Sequence, residues 1–305
     1  MSSGRHVSSC MSALRTAMFS LFSLLACGCA LAHTSLTVVS AADYWTPVAC
    51  DSIVSIFGPG IATGVFMAQD PPPAPLPLTL GGVSAVLSDP ASPVDVPVQL
   101  IAVTPSQVNA LLPCSPFLVS GSVPIHLTAS DGHTLSGMVS FARVTLSLFT
   151  ADESGQGVPA GQVVIGHADG SQTFVSSIAQ CTSKGCTPVP IDIGASTDEV
   201  VLELFGTGIR NVNPAISYPA PPVTATVSKS APPGWTPFAD LPVLYAGPQG
   251  AGSPGSYFGL DQVNVSLPHS LAGSGRVALY LSAPGQFFAG TLEELSSNIV
   301  IVDIK

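Results

Sequence analysis

The chain has 305 residues, with 29 glycines, 29 prolines and only 9% charged residues. That length suffices for two ordinary domains, and Pro and Gly interrupt nearly every stretch before a 3.6-residue apolar period can build, which excludes a predominantly helical protein. An acidic excess, formally −10 with no Lys/Arg cluster, excludes nucleic acid and anionic membrane surfaces as partners.

Residues 1–32 read as a secretory signal peptide. Arg5 and Arg15 precede the apolar run Ala17–Ala26, and the small-residue site Ala30-Leu31-Ala32 follows it. The run is shorter than the ~20 apolar residues of a membrane span, and no later segment qualifies. Met11 offers an alternative start. A second reading is a lipoprotein leader, with Leu24-Leu25-Ala26 before Cys27 and a lipid anchor on that cysteine. Leu25 is unusual at its position in such a leader, so soluble export is favoured. Removing the leader takes away two of eight basic residues and none of the 18 acidic ones, giving 6 − 18 = −12. Secretion or residence in the cell envelope is the expected localisation.

After the leader the chain writes one phrase twice. Residues 51–60 read DSIVSIFGPG and residues 199–208 read EVVLELFGTG. Each copy continues with a proline-rich stretch, an alternating strand (83–87, 223–227), QVNALLP at 107–113 or QVNVSLP at 262–268, and a further strand (123–128, 276–282). Four features recurring in one order mark a duplicated unit of roughly 100 residues. Val108, Ala110 and Leu112 share one strand face, as do Val263, Val265 and Leu267, while Gln107, Asn109, Gln262 and Asn264 face away. In the first phrase Val54 and Ile56 match Leu202 and Leu204 on the buried face. Phe57 and Phe205 then fall on the wrong parity, and the glycines after them (Gly58, Gly60, Gly206, Gly208) predict a structural corner that swings each ring back to the core.

Short strands in this number predict an all-β chain: an immunoglobulin-like β-sandwich over 33–150, a connecting β-meander over 151–194 and a second sandwich over 195–305. The meander is read from Asp169-Gly170, a hairpin signal, and from the reversal between Cys181 and Cys186. The mature chain keeps four cysteines, an even number that suits disulfides in an exported protein. Three connectivities are possible. The short TSKG turn favours Cys181–Cys186, which leaves Cys50–Cys114. A zinc site is disfavoured because C-x4-C has no second close pair.

DSIVSIFGPGIATG, LPLTLGGVSAVL, TPSQVNALLP, LFTADESGQG, VLELFGTGIRNV, VLYAGPQG and GLDQVNVSLP together resemble an uncharacterised C-terminal domain family of bacterial secreted proteins, over roughly Thr37–Lys305. The resemblance implies two immunoglobulin-like repeats of the IPT/TIG type and an extracellular setting. It implies no catalytic residues. Set against that family, the sequence is read as departing from it in having no large N-terminal partner domain.

No G-x-S-x-G, H-E-x-x-H or EF-hand loop is present. The Gly-x-Gly phrases precede no helix, so they are not phosphate loops. His126 and His133 flank Asp131-Gly132 and are expected as polar residues of an open sheet face, with a metal or acid/base role as the lesser reading. Glu293-Glu294 reads as solvated, and calcium at loop aspartates such as Asp240 or Asp261 is a minor alternative. No cofactor or metal is expected. Asn264-Val265-Ser266 matches a sequon within a strand. The candidate binding residues are aromatics in Pro/Gly-rich loops of the second copy: Trp235, Phe238, Tyr257, Phe258, Phe287 and Phe288. Trp45 and Trp235 are expected to plug sandwich ends. The function expected is non-catalytic binding, adhesion or structural support toward an extracellular protein or glycan. A carbohydrate-binding accessory module is the alternative, and an unrecognised hydrolase comes after it.

Overall fold

The computed structural model describes residues 35–69, 76–88, 94–114, 121–210, 223–229, 237–250, 258–283, 287–288, 291–292 and 295–305. The leader and Cys27 lie outside them. The described residues are all-β, with no α-helix and no helix long and apolar enough to cross a membrane.

The first sandwich comprises β1 (Ser35–Ser40), β2 (Ile53–Phe57), β3 (Phe66–Met67), β4 (Ser84–Leu87), β5 (Val96–Pro97), β6 (Gln99–Val103), β7 (Gln107–Leu111), β8 (Gly121–Thr128) and β9 (Thr134–Phe141). They pair in the order β3-β6-β7-β2-β1-β9-β8-β4-β5. β1 is the hinge of the sandwich, antiparallel to β2 on one side and parallel to β9 on the other. Gly137 makes the parallel approach possible, because a Cβ there would lie 2.5 Å from the Leu36 carbonyl oxygen. The period-2 pattern turns Val54, Ile56 and Val108 of one layer toward Leu87, Ile125 and Leu135 of the other, in one buried cluster.

The second sandwich comprises β10 (Ser147–Leu148), β11 (Gly161–Gly166), β12 (Gln172–Val175), β13 (Ala179–Thr182), β14 (Gly185–Pro188), β15 (Glu199–Thr207), β16 (Thr224–Ser228), β17 (Pro237–Leu241), β18 (Val243–Pro248), β19 (Asp261–Ser266), β20 (Gly275–Ala283), β21 (Phe287–Phe288), β22 (Thr291–Leu292), β23 (Leu295–Ser296) and β24 (Val300–Ile304). One sheet runs β12-β11-β15-β19-β18, with β10 also on β15; the other runs β17-β16-β20-β23, with β24 also on β20. Leu202, Leu204 and Val265 of the first meet Val227, Leu279 and Val302 of the second.

The duplicated phrases pair with one another in the same register in both halves. Phe57, Ile56, Ser55 and Val54 face Gln107, Val108, Asn109 and Ala110. Phe205, Leu204, Glu203 and Leu202 face Gln262, Val263, Asn264 and Val265. The repetition is therefore the central strand pair of each sandwich, written once per copy. The outward amides continue the pairing: the Gln107 Nε2 donates to Asn109 Oδ1 and the Gln262 Nε2 to Asn264 Oδ1, each at 2.7 Å.

The boundaries differ from those the sequence predicts. The first core closes at Phe141, and Val144, Leu146 and Leu148 already belong to the second. Residues 151–194 form two hairpins rather than the single connecting β-meander expected. β11 pairs with β15 over six residues and buries Val163 and Ile165 in the second core, because those two apolar residues share one face. The β13–β14 hairpin sets Cys181 directly opposite Cys186, and both disulfides, Cys181–Cys186 and Cys50–Cys114, are formed.

The corner also differs. Phe57 and Phe205 stay on the outer sheet faces, half-buried, beside Gln107 and Gln262. No bulge swings either ring inward. Left-handed backbone falls on the second glycine of each phrase, Gly60 at φ 66° and Gly208 at φ 78°. The first glycine is closely packed in both copies: a Cβ at Gly206 would lie 2.5 Å from the Ser147 carbonyl oxygen, which leaves no room for it, and one at Gly58 would lie 2.7 Å from Leu36 Cδ2, the movable end of a side chain.

Candidate functional site

The two sandwiches touch through the outer face of β2 and β7. Ile53 and Leu111 face each other there, and the turn before β19 lands on them. Gly259, at φ 73°, leaves no room for a side chain, since a Cβ would lie 2.6 Å from Ile53 and 2.7 Å from Leu111. The buried Thr207 hydroxyl accepts the Ile53 N–H at 2.8 Å and donates to the Gly259 carbonyl at 2.7 Å. Beside it, Asp261 is fully buried. Its carboxylate accepts the backbone N–H groups of Ile209 and Arg210 and the Arg210 Nε, the last at 2.7 Å. Burial pushes the Asp261 carboxyl above its usual range, against the pull of Arg210. The hydroxyl relay through Thr207 and the seating of Gly259 on Ile53 and Leu111 join the sandwiches, while the Asp261–Arg210 pair braces the adjoining turn within the second.

A second contact between the sandwiches encloses a cleft of about 610 Å³. Its walls are residues 43 and 45–47 of the first sandwich, and residues 144–147, 155–157, 295–299 and 301 of the second. The floor is apolar and buried, with Val144 and Leu146. The rim is Trp45, Thr46, Pro47, Gln156, Ser296 and Ile299, all exposed.

Trp45 is 72% exposed, the largest exposure among the large hydrophobic side chains of the described residues. It plugs nothing, contrary to the sequence expectation, because its loop is tied down around it. Ser40 N–H donates to the Trp45 carbonyl at 2.9 Å, and Trp45 N–H donates to Asp43 Oδ1 at 3.2 Å. Tyr44 sits at φ 62°, in the left-handed region that a bulky residue rarely adopts. Its hydroxyl donates to the Glu153 carbonyl at 2.9 Å, which ties this loop to the facing one. That facing loop is the LFTADESGQG stretch. Asp152 accepts the Ser154 hydroxyl at 2.7 Å, Gly155 N–H donates to Thr150 Oγ1 at 2.9 Å, and Gly155 at φ 75° packs directly against the Asp43 backbone. The Ser154 hydroxyl holds the Asp152 carboxyl below its usual range.

Asn298 fixes the third wall. Its side-chain amide behaves as a strand neighbour to β10: Oδ1 accepts the Leu148 N–H at 2.8 Å, and Nδ2 donates to the Leu148 carbonyl at 2.9 Å. The same Nδ2 donates to the Gly155 carbonyl at 2.9 Å. Among the described residues the lining carries one ionisable side chain, Asp43, with no His, Lys or Arg. It thus offers an aromatic face, hydroxyls and amides for contact, and no acid/base pair for general catalysis.

The residues singled out from sequence are dispersed. Trp235 and Tyr257 lie outside the described residues, as does Glu293-Glu294. Phe238 is exposed on β17, at the outer edge of one sheet, with Lys229 Nζ 5.1 Å from its ring centroid. Phe258 is half-buried next to Gly259, on the side of the opposite sheet. Phe287 and Phe288 form β21, paired with β22. His126 faces Ser136 across the β8–β9 pair, with its Nδ1 2.9 Å from the Ser136 hydroxyl, while His133 contacts Asp131, so the two histidines do not meet. Asp240 accepts the Thr226 hydroxyl on the sheet opposite Asp261. No group of three His, Cys, Asp or Glu that could hold a metal occurs among the described residues. The cleft escaped sequence reasoning because its walls are drawn from three stretches far apart in the chain, 43–47, 144–157 and 295–301. Two signals pointed toward it: Trp45 between Tyr44 and Thr46-Pro47, and the Asp-Glu-Ser-Gly loop.

No protein-family model matches the chain, and no curated protein matches it. Among solved structures it is similar to murine CEACAM1b at 12% identity, covering 88% of this chain and 100% of that one with a TM-score of 0.19. It is also similar to the collagen adhesin (CNA) of S. aureus at 11% identity, covering 88% of this chain and 92% of that one with a TM-score of 0.13. The fold assignment rests on the strand pairing and the two cores.

Proposed function

We propose that this chain is an exported, non-catalytic binding module of the bacterial cell surface or extracellular space, built of two IPT/TIG-type immunoglobulin-like repeats. The inter-sandwich cleft is its contact site, and its ligand is an extracellular protein or glycan. One observation carries this reading: a tryptophan 72% exposed over an apolar-floored cleft, on a loop held in place from both sides. An exposed indole on a fixed loop costs solvation and backbone strain, and it returns binding energy when a partner covers it. The two disulfides suit an oxidising compartment.

The test is retention of the purified protein on arrays of cell-wall preparations, polysaccharides and extracellular matrix proteins. Trp45→Ala should melt within about 1 °C of wild type, as expected for an exposed side chain, and lose the array signal. Retention unchanged by Trp45→Ala would remove the cleft as the contact site. Catalytic turnover of an array ligand would overturn the non-catalytic reading.

A further inference from the structure

We infer that the cleft takes a neutral saccharide, with one sugar ring stacked on the Trp45 indole. This rests on the cleft being the binding site. Charge narrows the ligand first. Among the described residues the lining holds one carboxylate and no cation, in a chain with a large acidic excess, so an acidic polysaccharide or a phosphorylated ligand is repelled. Asp43 Oδ1 is already engaged by the Trp45 N–H, which weakens the case for a cationic ligand.

The shape of the polarity narrows it further. Trp45 and Pro47 give flat apolar surface, while Thr46, Gln156 and Ser296 stand around it as exposed groups that both donate and accept hydrogen bonds. A pyranose is built to match: its axial C–H face lies on an aromatic ring, and its equatorial hydroxyls point to the rim as donors and acceptors together. The indole supplies contact area at little entropic cost, because its loop is ordered before the ligand arrives.

A peptide is the competing macromolecule, and the backbone argues against it. Peptides gain affinity by adding main-chain hydrogen bonds to free N–H and C=O groups. Here several of those groups along the cleft are engaged internally. Trp45 N–H and C=O go to Asp43 and Ser40, Gly155 N–H and C=O go to Thr150 and Asn298, and Gly157 C=O accepts the Ile301 N–H at 2.7 Å. With these groups taken, the side-chain hydroxyls and amides of Thr46, Gln156 and Ser296 stand at the rim, the partners that sugar hydroxyls use.

The experiment is calorimetric titration of the full mature protein with neutral hexasaccharides of glucose, mannose and N-acetylglucosamine, and with unrelated neutral and acidic peptides as controls. At least one hexasaccharide should bind, with an affinity that changes little between about 0.05 and 0.5 M salt, since no ion pair is involved. Trp45→Ala should weaken it about tenfold or more, with Trp45→Phe keeping most of the affinity through its remaining ring face. If no hexasaccharide binds at millimolar concentration while the protein is retained on a peptide or protein through Trp45, the saccharide assignment falls and the cleft reading stands. Saccharide binding that neither Trp45 variant alters would place the sugar elsewhere and overturn the inference. Absence of Trp45-dependent retention on any surface removes both.

Discussion

Replacing Asn298 by alanine should unlock a whole wall of the cleft. The Asn298 amide supplies three hydrogen bonds to backbone: one from Leu148 N–H, one to Leu148 C=O and one to Gly155 C=O. β10 is only two residues long and pairs with β15 on one side; Asn298 takes the place of a strand on the other. Leu148 is fully buried, so water cannot readily replace the lost partners. Three bonds at roughly 0.5–1.5 kcal/mol each, with the added cost of leaving buried backbone unsatisfied, give an expected loss of about 2–4 kcal/mol. For a sandwich of this size that is a fall in melting temperature of about 5–15 °C. Equilibrium urea unfolding should show a lower midpoint, and hydrogen exchange should quicken at the Leu148 amide. Asn298→Asp keeps an acceptor for Leu148 N–H but sets an oxygen against two carbonyls, so at neutral pH it should cost at least as much. A loss under about 0.5 kcal/mol, or a Leu148 amide as protected as in wild type, would refute the idea that Asn298 stands in for a strand.

The two equivalent glycines should differ. Gly206→Ala drives a methyl into the Ser147 carbonyl and should cost about 2–3 kcal/mol, whereas Gly58→Ala meets only the flexible end of Leu36 and should cost under about 1 kcal/mol; equal urea midpoints would contradict this. Stability should also fall in acid. Asp152 is held low by Ser154, Asp169 by Ser171, and Asp192 by Lys305, so each contributes stability above the unfolded carboxylate pKa of about 4 that is lost as pH falls through the lowered folded value. Asp261 has the opposite sign: burial raises its folded pKa, so the native state binds a proton first and its contribution grows on acidification between those two values. Asp152→Asn should therefore flatten the acid limb of a stability–pH curve measured by urea unfolding, and Asp261→Asn should steepen it; the reverse order would show that the signs are wrong.

Much of the fold was legible because a period of two is a strong signal. Val54, Ile56, Val108 and Ala110 announced which face each turns to the core, while the pairing of the two phrases with one another is long-range and no local pattern encodes it. One position carried more than was read from it. Leu111 and Ser266 are equivalent in QVNALLP and QVNVSLP, and both point outward. Leucine stands in the first copy because the second sandwich covers that face through Gly259; Ser266 is covered by no such turn and stays polar. The phenylalanine parity misled because outward aromatics look like errors when the face is assumed to be open. The strand β11 was separated from its sandwich because hairpin signals are local, while its pairing with β15 spans more than 30 residues. The cleft was the least legible feature, since it depends on left-handed Tyr44 and on amide contacts of Asn298 that no local pattern encodes.

The position of β1 bears on how such a chain behaves under load. β1 is bonded on both edges, to β2 through Thr37–Ser40 and to β9 through Ser35–Thr37. Tension along the strand strains these bonds together in shear rather than opening them one at a time. If they yield, the chain peels only as far as Cys50. Force then passes through the Cys50–Cys114 bond, whose partners are 64 positions apart, and the loop between them stays out of the load path. The first extension is thereby capped at roughly 15 residues, about 50 Å. The sandwich thus combines a stiff first element with a covalent stop.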